Sequence, residues 1–213
     1  MDNNSMFVIE ERVKRTIANL EKNNMNGYYL QTEEEALVKI EELISEGDTV
    51  SVGGSMTLFE TGVIELLRNG KYNFLDRYEE GLSPEGIKEV FRKSFFADAY
   101  FTGTNAITEN GELYNVDGNG NRVAAMLYGP DKVIVVAGRN KIVKDLDQAI
   151  LRVKETAAPA NNLRLNRSNP CAKTGHCMDC QQDGRICNEY TVIKRQSNKN
   201  RFHVIIINKE LGY

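Results

Sequence analysis

No cysteine occurs before residue 171, and histidine is limited to His176 and His203. With so little histidine, no Ser–His–Asp relay can be argued. Basic residues are not in excess: 27 Lys and Arg stand against 30 Asp and Glu, for a net charge of -3. A general nucleic-acid binder needs concentrated positive charge for its phosphate contacts, so that class is disfavoured. No apolar run is long enough to span a bilayer, so no membrane attachment is expected. The first residues carry no basic segment followed by an apolar one, so no secretory signal is expected in the sequence as given. The expected compartment is the cytoplasm, where thiols stay reduced. No Walker motif is present and no Gly-x-Gly-x-x-Gly follows a strand, so there is no nucleotide-cofactor motif.

What remains is a chain of ordinary globular composition, 41% hydrophobic and 27% charged over 213 residues, enough for one core with a small appendage. Helical spacing of Val13, Ile17 and Leu20 predicts a first helix from about Met6 to Lys22. Thr32 with Glu35, and Thr57 with Glu60, have the spacing of capping boxes at two further helix starts. The second of these helices is predicted to run to Gly70. Ser83-Pro84 opens another helix, Arg122–Leu127 a short one, and Asp145 a last one that ends before Pro159. Strands are predicted at 27–30, 49–52, 72–75, 99–102, 132–137 and 203–207, and Asn110-Gly111 marks a hairpin. Alternation of strand and helix favours a mostly parallel sheet with helices on its faces. After Pro159 the composition turns irregular. Residues 1–159 are therefore expected to form the α/β domain, and residues 160–213 a Cys-rich segment packed on it.

All four cysteines fall between Cys171 and Cys187. Cys177 and Cys180 form a Cys-x-x-Cys pair, flanked by Cys171 and Cys187, with Gly175 and Gly184 where the chain must wrap. Four thiolates suit a four-iron iron–sulfur cluster or tetrahedral zinc. The single pair with irregular gaps is unlike a zinc finger and matches neither standard ferredoxin spacing. Iron–sulfur is favoured and zinc is the alternative. The plainer interpretation is free thiols, or a redox dithiol at Cys177 and Cys180, and it must explain why none lie elsewhere.

Three glycine-bearing loops are candidate ligand sites. Gly53-Gly54-Ser55, with Thr57, lies between a strand and a helix, where amides and hydroxyls suit phosphate or carboxylate. Gly103-Thr104-Asn105 also follows a strand, and in a parallel sheet both loops sit at strand C-termini. Asp117-Gly118-Asn119-Gly120-Asn121-Arg122 sets a carboxylate near a guanidinium that could grip an anion. Asp117 and Glu60 are weak candidates for acid–base work. Each loop also has a purely structural interpretation: glycine for tight turns, Asp117 and Asn121 for turn and cap, Glu60 for a cap.

The stretch 51–62 (SVGGSMTLFETG), with 102–113 and 115–125 (NVDGNGNRVAA), resembles the LUD-domain family, the lactate-utilisation proteins. The resemblance implies a Rossmann-like sheet similar to the isomerase and CoA-transferase group, with phosphorylated or CoA-linked ligands at the strand ends. It also implies a part in lactate oxidation alongside redox partner proteins, with a small anionic metabolite as ligand. Catalysis within the domain, and homo-oligomer formation, are left open by the resemblance. The Cys-rich tail marks a variant of the family.

Overall fold

Asp2 opens the computed structural model, which describes residues 2–213. Its carboxylate accepts the amides of Asn4 and Ser5 and so caps helix α1 (Asn3–Lys22). Strand β1 (Asn26–Leu30), helix α2 (Glu33–Leu43) and strand β2 (Thr49–Val52) follow. Thr32 caps α2 by accepting the Glu35 amide, but Glu35 reaches back to the amide of Gln31, one residue beyond the usual reciprocal partner. The helix predicted from Thr57 to Gly70 is two pieces, α3 (Met56–Glu60) and α4 (Val63–Leu67). Gly62, at φ +73°, breaks it. Ser55 takes the N-cap position of α3, so Thr57 and Glu60 are not a capping box. Strand β3 (Asn73–Leu75), helix α5 (Pro84–Lys93) and strand β4 (Ala99–Thr102) complete this half.

The hairpin is β5 (Ala106–Thr108) and β6 (Leu113–Asp117), antiparallel around Asn110-Gly111. The Gly111 amide bonds the Thr108 carbonyl while Gly111 sits at φ +77°, a type I turn with a glycine bulge. Helix α6 (Asn121–Leu127), strand β7 (Lys132–Gly138), a 3-10 turn (Arg139–Lys141) and strand β8 (Ile142–Val143) come next. Helix α7 (Leu146–Arg152) passes through a π turn (Val153–Ala157) into α8 (Ala158–Arg164). The helix therefore runs through Pro159 and does not stop before it. A proline removes one helical hydrogen bond and crowds the preceding turn, and the π turn relieves both effects. Helix α9 (Cys171–Thr174), strand β9 (Glu189–Ile193) and strand β10 (Phe202–Ile207) finish the chain.

The six-stranded sheet has the order β1-β10-β7-β4-β2-β3, parallel throughout. Its inner strands β10, β7, β4 and β2 are buried on both faces, as the apolar runs of β7 and β10 require, while the edge strands β1 and β3 are partly exposed. On one face Val133, Val135, Phe202, Val204 and Ile206 pack against α1 and α6. On the other, Ile134, Val136, Ile205 and Ile207 pack against α2, α3 and α4. Each such side chain contributes roughly 1.5–3 kcal/mol. A second sheet, β8-β5-β6-β9, is held by α7 and the π turn through Ala149 and Val153. The chain beyond Pro159 thus supplies β9 to the small sheet and β10 to the interior of the large one. No helix among the described residues is long and apolar enough to cross a membrane.

Candidate anion cleft and four-thiol site

Parallel strands open their loops at a common edge. Here β10, β7, β4 and β2 are neighbours, and their C-terminal ends deliver residues 208–213, Arg139–Lys141, 103–105 and 53–55 to one place. Those loops, the loop after β6, the end of α8 and residues 183–186 enclose a cleft of about 410 Å³. Six cationic side chains line it (Arg77, Arg122, Lys141, Arg164, Arg167 and Arg185), against the carboxylates of Asp117 and Asp183. Such a cleft favours an anion.

Most of the expected loop residues converge on this cleft: Gly54, Ser55, Gly103, Thr104, Asn105, Asp117, Gly118, Asn121 and Arg122. Gly53, Thr57, Gly120 and Glu60 stand outside its lining. The Gly53 amide is spent on the Phe101 carbonyl, and the Thr104 hydroxyl on the carbonyls of Ala106 and Tyr114. Glu60 accepts the Gly212 amide and so ties down the C-terminal tail.

Arg122 is buried beneath the loops and already engaged. One terminal nitrogen donates to the Gly103 carbonyl at 3.1 Å and to Asn115 Oδ1 at 2.6 Å. The other donates to Asp117 Oδ1 at 2.5 Å and reaches Asn105 Oδ1 and the Val116 carbonyl. Asp117 Oδ2 accepts the Val123 amide at 3.1 Å. Both carboxylate oxygens are thus occupied, which suits a structural ion pair and leaves Asp117 poorly placed as a base. Gly53 makes room for this cage, and Gly103 makes room for Ser55 beside it. A Cβ on Gly53 would lie 2.8 Å from Arg122 Cγ, and one on Gly103 would lie 2.6 Å from Ser55 Oγ.

Lys141, which the sequence did not single out, stands just after β7, where a parallel sheet presents functional groups. It is 3% exposed and donates to Thr57 Oγ1 at 3.0 Å. Burial, then the Arg152 and Arg122 charges, lower its amine to about 7, with Glu60 opposing. Arg77 stacks over the Phe91 ring at 4.5 Å, and Arg164 bonds Asn161, so neither is spent on a carboxylate.

The four cysteines border a second cavity of about 20 Å³, space for roughly one water. None is in a disulfide. Burial raises Cys187 to about 11, and the other three thiols add to the rise while Arg185 opposes it. Burial and the neighbours Cys177 and Cys180 also raise Cys171. The Asp179 amide points at Cys177 Sγ (3.4 Å), a bond that favours thiolate as ligand. Arg185 donates to the carbonyls of Cys187 and Cys180 and so clamps the loop. His176 is exposed and bonds only within its own turn. Among the described residues, no group of three or more His, Cys, Asp and Glu side chains is already arranged to hold a metal ion. The convergence of four thiols on one cavity fits a thiolate-bound centre in donor chemistry; the ligand distances would have to close on binding. Arg185 and Ile186 line both this cavity and the cleft.

The sequence matches the family described as LUD domain over residues 13–207. No curated protein matches it. A DUF162 family protein from Deinococcus radiodurans is similar in structure at 16% identity, with a TM-score of 0.52, covering 94% of this chain and 96% of that one. The tetrameric eIF2B-beta2-delta2 complex from Chaetomium thermophilum gives a TM-score of 0.44 at 21% identity, over 82% of this chain and 55% of that one. The first of these likenesses bears on fold alone. With the family match spanning most of the sequence, this chain belongs to the LUD domain family.

Proposed function

We propose that the chain is a redox accessory protein of organic-acid metabolism, in keeping with the lactate role implied by its family. In this account the cleft takes a small anionic metabolite. Cys171, Cys177, Cys180 and Cys187 hold an iron–sulfur cluster, four-iron in type, with zinc as the alternative. A bound cluster supplies one-electron transfer. The observation that carries the account is the shared border: Arg185 and Ile186 belong to both the cation-rich cleft and the four-thiol cavity. Charge on an anion in the cleft would be felt at the thiolate site, since the two cavities share these lining residues. Redox partner proteins would dock where the cysteine loop is exposed, at Met178 and Asp179.

The test is an anaerobic redox titration followed by visible absorbance, with and without a small carboxylate. Reversible bleaching, with a midpoint that the carboxylate shifts, is the expected result. A colourless zinc protein with no reversible signal would overturn the redox role. It would favour an isomerase- or transferase-type enzyme acting on a phosphorylated or CoA-linked molecule, with zinc as a staple. The buried amine of Lys141 on the cleft is the observation that supports this second account.

A further inference from the structure

Lys141 is the one lysine on the cleft, and its surroundings are unusual for a simple anion grip. Its Nζ is buried and tethered by a single hydrogen bond to Thr57 Oγ1. Two glycines flank it, so no side chain stands between Nζ and the backbone there: a Cβ on Gly212 would lie 3.4 Å from Nζ and one on Gly103 3.7 Å from it, both at ordinary contact distance. Arg122 and Arg152 face it from α6 and α7, and Glu60 is the carboxylate nearest in effect, yet Glu60 is committed to the Gly212 amide. Arg77 and Arg164 line the same cleft without carboxylate partners. The cleft therefore offers cations for an acid group and, separately, a lysine in its lining that no carboxylate among the described residues pairs with.

We propose that Lys141 is a reactive amine and that the cleft accepts a small anionic carbonyl compound, a 2-oxo carboxylate or a keto phosphate, which condenses with it. The Nζ lone pair adds to the carbonyl carbon. The carbonyl oxygen leaves as water with the two amine hydrogens, and a C=N bond joins lysine to ligand. A lysine with a desolvated amine beside other cations is primed for such condensation, because its uncharged form is populated near neutrality. Donation to Thr57 leaves the lone pair of that uncharged form free for carbon. The inference goes beyond the redox account and does not require the cysteines to be loaded.

The test is reductive trapping. The full chain is incubated with cyanoborohydride and either pyruvate or dihydroxyacetone phosphate, then analysed by intact mass and peptide mapping. The expected result is one adduct per chain, mapped to Lys141, with a yield rising as pH passes through about 7. Whichever compound traps decides between carboxylate and phosphate. Lys141→Arg keeps the charge but cannot form the imine, and loses the adduct. Cys180→Ser keeps it, which separates this result from the fate of the metal site. Absence of any adduct with wild type would overturn the proposal, and so would adducts scattered over exposed lysines and unchanged in Lys141→Arg. Because the wild-type map is itself site-specific, the conclusion stands even if the arginine variant folds poorly.

Discussion

The Lys154 carbonyl accepts the Cys177 amide at 2.9 Å, and the reason lies five residues downstream of Lys154. In the π turn the Val153 carbonyl takes the Ala158 amide. In the same register the Lys154 carbonyl would take the amide of residue 159, which is proline and has none. The orphaned carbonyl is satisfied instead by the amide of Cys177 in the cysteine loop. Pro159→Ala restores the competing donor. If the four cysteines hold metal, as proposed, its retention should then fall at least ~10-fold in a chelator competition, because the contact that positions Cys177 is lost. An unchanged competition curve would mean that the loop is positioned by Arg185 alone.

Arg122 is a keystone of the fold, and its variants should be read that way. Arg122→Ala leaves the Asp117 carboxylate and the Asn115 amide oxygen buried without their donor. Breaking a buried pair from one side costs about 3–5 kcal/mol, so urea unfolding should show a loss of that size. A loss of anion binding with full stability would contradict this assignment.

Gly53 and Gly54 are adjacent and should behave differently. Alanine at 53 meets the Arg122 stem at 2.8 and 2.9 Å and the Tyr100 hydroxyl at 3.0 Å. Because the guanidinium is pinned at its far end, the stem cannot swing away, and Gly53→Ala should destabilise by ~1–3 kcal/mol. Alanine at 54 meets Arg77 no closer than 3.5 Å, an ordinary contact, so Gly54→Ala should melt close to wild type. Thermal unfolding of the two variants side by side checks this.

Much of this was legible in the sequence because it is local. The β7 run of Val133–Val136 reads as a buried strand from its composition, and Asn110-Gly111 as a hairpin turn. The loops after β2 and β4 were placed at strand C-termini, where the cleft lies. What was hidden depends on distant partners. Nothing near Arg122 in sequence says that Gly103 and Asn115 consume its donors. Strand β9 has exposed Tyr190 and Val192 and is defined by pairing with β6, so its own pattern is weak. The helix through Pro159 defeats the usual stop signal because the π turn and Cys177 absorb its cost. Lys141 could have been found as a charged residue one short turn past the clearest strand.

Lys141 also leaves a signature in stability against pH. Its amine titrates near 7 when folded, below the ordinary 10.5 that applies to the unfolded chain. Below about pH 7 both states hold the proton and the penalty of burying it is fully present. Between about 7 and 10.5 the unfolded chain binds more protons, so stability rises with pH across that window. Lys141→Met should remove that rise and be the more stable protein at neutral pH. Matched slopes for wild type and variant in urea titrations would contradict the shift.

Anion affinity should follow the unpaired cations. Arg77→Ala removes a cleft cation whose visible contacts are the aromatic faces of Phe91 and Tyr78. Inorganic phosphate binding, followed by calorimetry at low salt, should weaken ~5–10-fold, and added salt should narrow the difference between variant and wild type. Equal affinities at low salt would place the anion elsewhere.

Cys171, Cys177, Cys180 and Cys187 are proposed to act together as one ligand set. Iron and zinc content after anaerobic purification, measured in wild type and in Cys187→Ser, decides whether they do. Stoichiometric metal is expected in wild type, in brown protein if it is iron, with a clear loss in the variant. Wild-type protein free of both metals, with four thiols open to alkylation, would contradict it.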